Sequence, residues 1–188
     1  MALKSLTEIL EQAWADKVIE EFQVKCKEAR ELLLDAGVGY LKKGEYEKAE
    51  SALTTLVELE QTSSVKNFRS HLFLGICYDQ QNRLSNAEVE YNVALNLADN
   101  DEDRGNIYGM LGTCLFHQGD RFKDAFHALK KAVELGNEES RARFESLKGY
   151  DFDDPKTYTL MGSALKRWGY AEAAEKALRK AAELEKKK

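Results

Sequence analysis

The sequence predicts an all-α fold, an array of four antiparallel helix pairs preceded by an amino-terminal helix. Three observations predict it. A glycine recurs inside otherwise helical segments at Gly37, Gly75, Gly112 and Gly162, where it costs about 1 kcal/mol relative to alanine and needs a reason. Seven positions after each stands a residue that tolerates a left-handed backbone and ends a helix: Gly44, Asn82, Gly119 and Gly169. A single proline, Pro155, in 188 residues leaves glycine and polar loop residues as the other breaks.

Composition bounds the function. With 43% hydrophobic and 32% charged residues, the chain has enough apolar surface for a core. A net charge of −5 argues against coating nucleic acid, and no run approaches the roughly 18 apolar residues that cross a bilayer. An odd count of three cysteines and the lack of a hydrophobic leader predict a reducing compartment and a cytoplasmic location.

The elements follow in order. Residues 1–29 form an amphipathic helix: Ser5 with Glu8 fits a capping box, and Leu6, Leu10, Trp14, Val18, Phe22 and Cys26 make one stripe. No break separates Ser5 from Ala36, so this helix runs into the first pair or bends near Gln23 to Lys27. It caps the array, fills a groove or pairs with another chain. The array itself occupies 30–188, with pairs at 30–63, 68–101, 105–138 and 155–188.

Within each pair an alanine follows the glycine by 12 or 13 positions, at Ala49, Ala87, Ala125 and Ala174. Leu53, Tyr91, Leu129 and Leu178 stand four residues beyond. These spacings predict that each first-helix glycine faces the second-helix alanine, letting two backbones approach while large residues fill the layers between. In the third turn one extra residue, in Gly119-Asp120-Arg121-Phe122, puts Phe122 where Tyr46 and Leu84 stand in the first two pairs. The fourth has Tyr170 and Ala171 there. Glycine spacings of 38, 37 and 50 place an insertion at 139–154. Glu138 to Leu147 reads as a helix anchored by Ala142, Phe144 and Leu147, and Asp154 then caps a helix that Pro155 opens.

These repeated positions resemble the tetratricopeptide repeat family over most of the chain. The resemblance implies a right-handed α-solenoid whose first helices line a concave groove that receives a peptide or helix from a partner. Carried onto this chain, the groove comprises Glu31, Leu34, Val38 and Leu41, then Arg69, Leu72, Ile76 and Asp79. Asn106, Thr113, Phe116 and His117 follow, then Lys156, Thr159, Ser163, Lys166 and Arg167, so one end is apolar and the other basic. Family members that hold the acidic tail of heat-shock chaperones use a clamp of lysine, arginine and asparagine. Here Leu34, Val38, Phe73, Asn106 and Met110 occupy those places, which disfavours the Hsp70 or Hsp90 tail. The family's closing proline is replaced by polar residues around Gln61, Asp99 and Asn137.

Candidate chemistry reads mostly as packing. Cys77 and Cys114 share the register of Gly39 and Ala164, and no cysteine or histidine spacing suits a metal. His71 takes a bulky first-helix position held elsewhere by Leu33, Tyr108 and Tyr158, and His127 reads as a surface residue. His117 alone falls on the concave face, without the partners a catalytic base needs. An enzyme would require His117, Asp79 and Cys77 to converge. The run Asp99 to Asp103 imitates a calcium loop, but Arg104 stands where glycine is needed and Met110 where glutamate closes the shell. The expectation is a non-enzymatic interaction module with no cofactor and no metal: an adaptor, assembly factor or chaperone. Alternatives are a secretion-type chaperone, a scaffold self-associating through the amino-terminal helix or Ala173 to Leu184, and, behind these, an enzyme or metal-dependent regulator.

Overall fold

A computed structural model describes residues 6–187. Among them nine α-helices and one short 3₁₀ turn follow one another. The chain divides into two compact units, Met1–Val65 and Lys66–Lys188.

The first unit is one helix pair. Helix α1 (Leu6–Lys43) is a single helix of 38 residues that passes through Gln23 to Lys27 without a break, so residues 6–29 are the front of the first repeat helix. Ser5 of the expected capping box, and the side chains of Leu6 and Leu10, lie outside the described residues. Gly44, at φ +74°, turns the chain into α2 (Tyr46–Thr62). That helix buries Ala49, Leu53, Leu56 and Val57. Where its end meets α1, Arg30 donates to Ser63 Oγ at 3.1 Å.

The second unit holds three further pairs: α3 (Phe68–Gln80) with α4 (Leu84–Leu97), α5 (Asp101–Gln118) with α6 (Phe122–Glu134), and α8 (Pro155–Arg167) with α9 (Ala171–Glu185). Asn82, Gly119 and Gly169 make the three tight turns at φ +58°, +87° and +90°. Asparagine side chains start two helices: Asn67 accepts from the Arg69 amide at 3.1 Å and Asn100 from the Asp103 amide at 2.8 Å. The acidic run after Asn100 is therefore the first turn of α5, where carboxylates suit the helix dipole. Asp154 caps α8 by accepting from the Lys156 amide at 3.2 Å, with Pro155 opening the helix.

The nearest neighbours of Gly37, Gly75 and Gly112 are the large residues that follow the alanines. All four alanines are buried, but a Cβ on Gly37, Gly75 or Gly112 would meet Leu53, Tyr91 or Leu129 at 2.6–2.7 Å. The glycine is the seat of the large residue one turn beyond the alanine, because helical side chains lean back toward the amino-terminal turn. A Cβ on Gly162 would lie 3.2 Å from both the Ala174 carbonyl oxygen and the Leu178 side chain.

The insertion is a separate element. Gly136, at φ +89°, ends α6, and a 3₁₀ turn (Glu138–Ser140) leads into α7 (Arg141–Leu147). Leu147 is buried, and Phe144 stacks on Phe126 with centroids 5.2 Å apart. Ala142 is exposed and anchors nothing, whereas Ser140 is buried against Gly109. One core cluster spans α3 to α6 around Tyr91, Ile107 and Cys114, and a second joins α6, α7, α8 and α9 around Phe122, Tyr158 and Leu165. No described helix is long and apolar enough to cross a membrane.

Candidate interaction surface

The first helices α1, α3, α5 and α8 carry the residues expected to face a partner. On α1, Leu34, Val38 and Leu41 are half-buried. On α3 and α5, Leu72, Ile76 and Phe116 are half-buried because they pack against the core between the helices. The Phe116 ring lies 5.1 Å from that of Phe122. Leu72, Ile76 and Phe116 thus form an outer layer of the core. Thr113 donates to the Gly109 carbonyl at 2.9 Å, and Asn106, exposed, accepts from Asn137 Nδ2 at 2.7 Å. Arg69, Lys166 and Arg167 are exposed, Arg69 lying 5.8 Å over the Phe68 ring.

Two of the expected residues converge. Asp79 at the end of α3 and His117 at the end of α5 line one cavity of about 720 Å³. The turns that follow α3, α5 and α8 and the first turn of α9 close it, contributing Asn82, Asp120 and Tyr170. The His117 ring stacks on Tyr170, centroids 4.8 Å apart and planes inclined by 18°. Tyr170 is not among the expected groove residues; its departure from the Tyr46 and Leu84 pattern is the sequence signal that marks it. At the rim Lys176 pairs with Glu172 at 2.8 Å, and the Arg83 guanidinium lies 4.3 Å over Tyr78.

Burial sets the electrostatics here. It raises the Asp79 pKa above the ordinary carboxylate value. It lowers that of His117, and the nearby Arg143 charge lowers it further, favouring the neutral ring. Among the described residues no cation or donor pairs with the Asp79 side chain. The cavity therefore offers an uncompensated carboxylate beside a flat aromatic pair, a combination suited to polar and cationic side chains.

The other candidates fall elsewhere. Cys77 is fully buried and receives Gln81 Nε2 at 3.4 Å, so it does not join Asp79 and His117 at the cavity. Cys114 donates to the Leu84 carbonyl at 3.3 Å, and burial pushes its thiol up to about 12. His71 is more than a packed ring: its Nδ1 lies 2.7 Å from the Glu90 carboxylate. His127 is exposed, edge-on to Phe126. No group of three or more metal-ligating side chains occurs among the described residues.

Two tetratricopeptide repeat family models match the chain, one over residues 34–107 and one over 155–188. No curated protein matches it. Among solved structures, a crystal structure of MamA is 21% identical, covering 86% of this chain and 94% of that one at a TM-score of 0.52. The pilF protein of Pseudomonas aeruginosa is 19% identical, with coverages of 85% and 78% and a TM-score of 0.49. At such identity the MamA likeness is one of fold.

Proposed function

Because the chain belongs to the tetratricopeptide repeat family, we propose that it is a non-enzymatic protein-interaction module whose first helices and turn-edge cavity receive a peptide or helical segment of a partner. The observation that carries this reading is the convergence of Asp79, His117 and Tyr170 on one cavity. In this role the protein serves as an adaptor, assembly factor or chaperone, and Cys77 and Cys114, buried as thiols outside any disulfide, suit a reducing cytoplasm. The tail of Hsp70 or Hsp90 does not fit, because Leu34, Val38, Phe73 and Met110 put apolar side chains where a clamp needs cations.

Charged substitutions at Ile76 or Phe116 would test the core and not the surface, since both side chains pack into it. The better test combines His117→Ala with Tyr170→Ala, the latter 41% exposed. Partners recovered with the tagged full-length chain are compared by mass spectrometry with those of the double variant. Loss of specific partners at an unchanged thermal midpoint is expected; unchanged recovery overturns the reading.

A second reading rests on α1. Trp14, Ile19 and Phe22 are 71%, 53% and 67% exposed, and such a row suits self-association through this helix.

A further inference from the structure

The exposed face of α8 combines positive charge with an apolar centre. Helix α8 carries three cations, Lys156, Lys166 and Arg167, and no carboxylate, in a chain whose net charge is −5. Its buried side is Thr157, Tyr158, Met161, Gly162 and Leu165. The exposed residues Lys156, Thr159, Leu160, Ser163, Lys166 and Arg167 therefore share the opposite face at helical spacing. In the middle of that face Leu160 is 55% exposed, and Trp168 at the helix end is 62% exposed.

The helix that follows differs in this respect. On the neighbouring α9, Lys176, Arg179 and Lys180 each lie within 4 Å of a carboxylate one turn away. Among the described residues, no ion pair or side-chain hydrogen bond engages Lys156, Lys166 or Arg167. The hydroxyls of Thr159 and Ser163 donate to their own helix, to the carbonyls of Pro155 and Thr159 at 3.2 and 2.8 Å. What the face presents to a partner is thus positive charge at both ends around an apolar centre.

Building on the interaction reading above, we infer that this face of α8 docks an acidic segment of a partner protein: carboxylates meeting Lys156 at one end and Lys166 and Arg167 at the other, with an apolar anchor on Leu160 and Trp168. Lys156 and Arg167 are 11 positions apart, so such a segment spans roughly 16 Å, about three helical turns. Opposite charges steer the encounter and set the register, while the exposed leucine and tryptophan supply the adhesive area that docking covers. An anionic membrane fits less well, because three cations fall short of the roughly four to eight of a polybasic patch on a chain that is itself negative.

The test uses the full-length chain with Trp14→Phe, which leaves Trp168 as the one tryptophan reporter. Three synthetic peptides share the same leucine positions and differ only in their flanking residues, all glutamate, all glutamine or all lysine. The glutamate peptide is expected to shift Trp168 emission to the blue and to bind about tenfold tighter than the glutamine peptide, a preference that raised salt erodes. Lys166→Glu with Arg167→Glu should reverse the preference toward the lysine peptide, and Leu160→Asp should abolish binding, both with unaltered melting because these side chains face solvent. Equal affinity for the glutamate and glutamine peptides overturns the charge assignment and leaves the interaction reading standing on its cavity variants. Failure of the glutamate peptide to bind, or binding instead to phosphatidylserine vesicles, overturns the inference.

Discussion

Gly75 and Gly39 both sit inside first helices, yet the space around them differs. A Cβ on Gly75 would lie 2.7 Å from the ring of Tyr91, which is buried to 1% exposure and cannot retreat, whereas a Cβ on Gly39 would meet nothing within 4 Å. Gly75→Ala should therefore cost about 1–3 kcal/mol through overpacking. Gly39→Ala should gain up to about 1 kcal/mol from helix propensity. Urea midpoints of the two variants decide this, and a shift of the same sign in both would refute the packing assignment. Asp79 and His117 make opposite contributions to pH dependence. The folded state holds the Asp79 proton more tightly than the unfolded state does, so stability falls as pH rises from the ordinary carboxylate value, 3.8, through the raised folded value. His117 is held neutral, so its contribution is complete above the ordinary imidazole value of 6.5 and is lost as pH falls through and below it. Asp79→Asn should stabilise the protein at neutral pH and His117→Phe should flatten the loss below pH 6.5, both read from urea midpoints across a pH series. An unchanged profile in either variant would remove that group from the account.

Helix α1 is 38 residues, roughly 57 Å long, while α2 has 17 and spans only about 26 Å. The front half of α1 accordingly extends past its partner, with Trp14, Val18, Ile19 and Phe22 exposed. If this row mediates self-association, sedimentation velocity should show a concentration-dependent dimer that Trp14→Asp with Phe22→Asp reduces to monomer. A monomer at every concentration would exclude it. At this scale the sequence is informative where a pattern recurs: four glycine registers place four helix pairs, and the turn residues Gly44, Asn82, Gly119 and Gly169 all have positive φ. It is uninformative where contact depends on a third element. Tyr170 reaches His117 across two turns that the local spacing does not relate, and Glu90 meets His71 between helices. The orientation of α8 leaves the apolar Leu160 exposed, which its local spacing does not announce. The Ala142 expectation failed for the same reason: η1 rotates the helix that follows so that Ser140 and Leu147 face inward.

The whole molecule comprises two units with separate cores, and their sizes have different consequences. Residues 66–188 contain both large core clusters, and Phe116 packs against each of them, so loosening one pair is felt by its neighbours. Residues 1–65 contain one helix pair, whose fully buried side chains are Ala49, Leu53 and Leu56. A single pair cannot bury its apolar face alone, and stable arrays take about three repeats. A fragment of residues 66–188 should therefore melt cooperatively by itself, whereas residues 1–65 alone should show partial helicity and a broad, weak transition. Circular dichroism melts of the two fragments check this. If 66–188 were unfolded in isolation, its stability would have to come from the first pair, and the division into two units would not be an energetic one. If it folds, Phe116→Ala should broaden its transition as well as lower it, because removing that ring takes away packing that both clusters share.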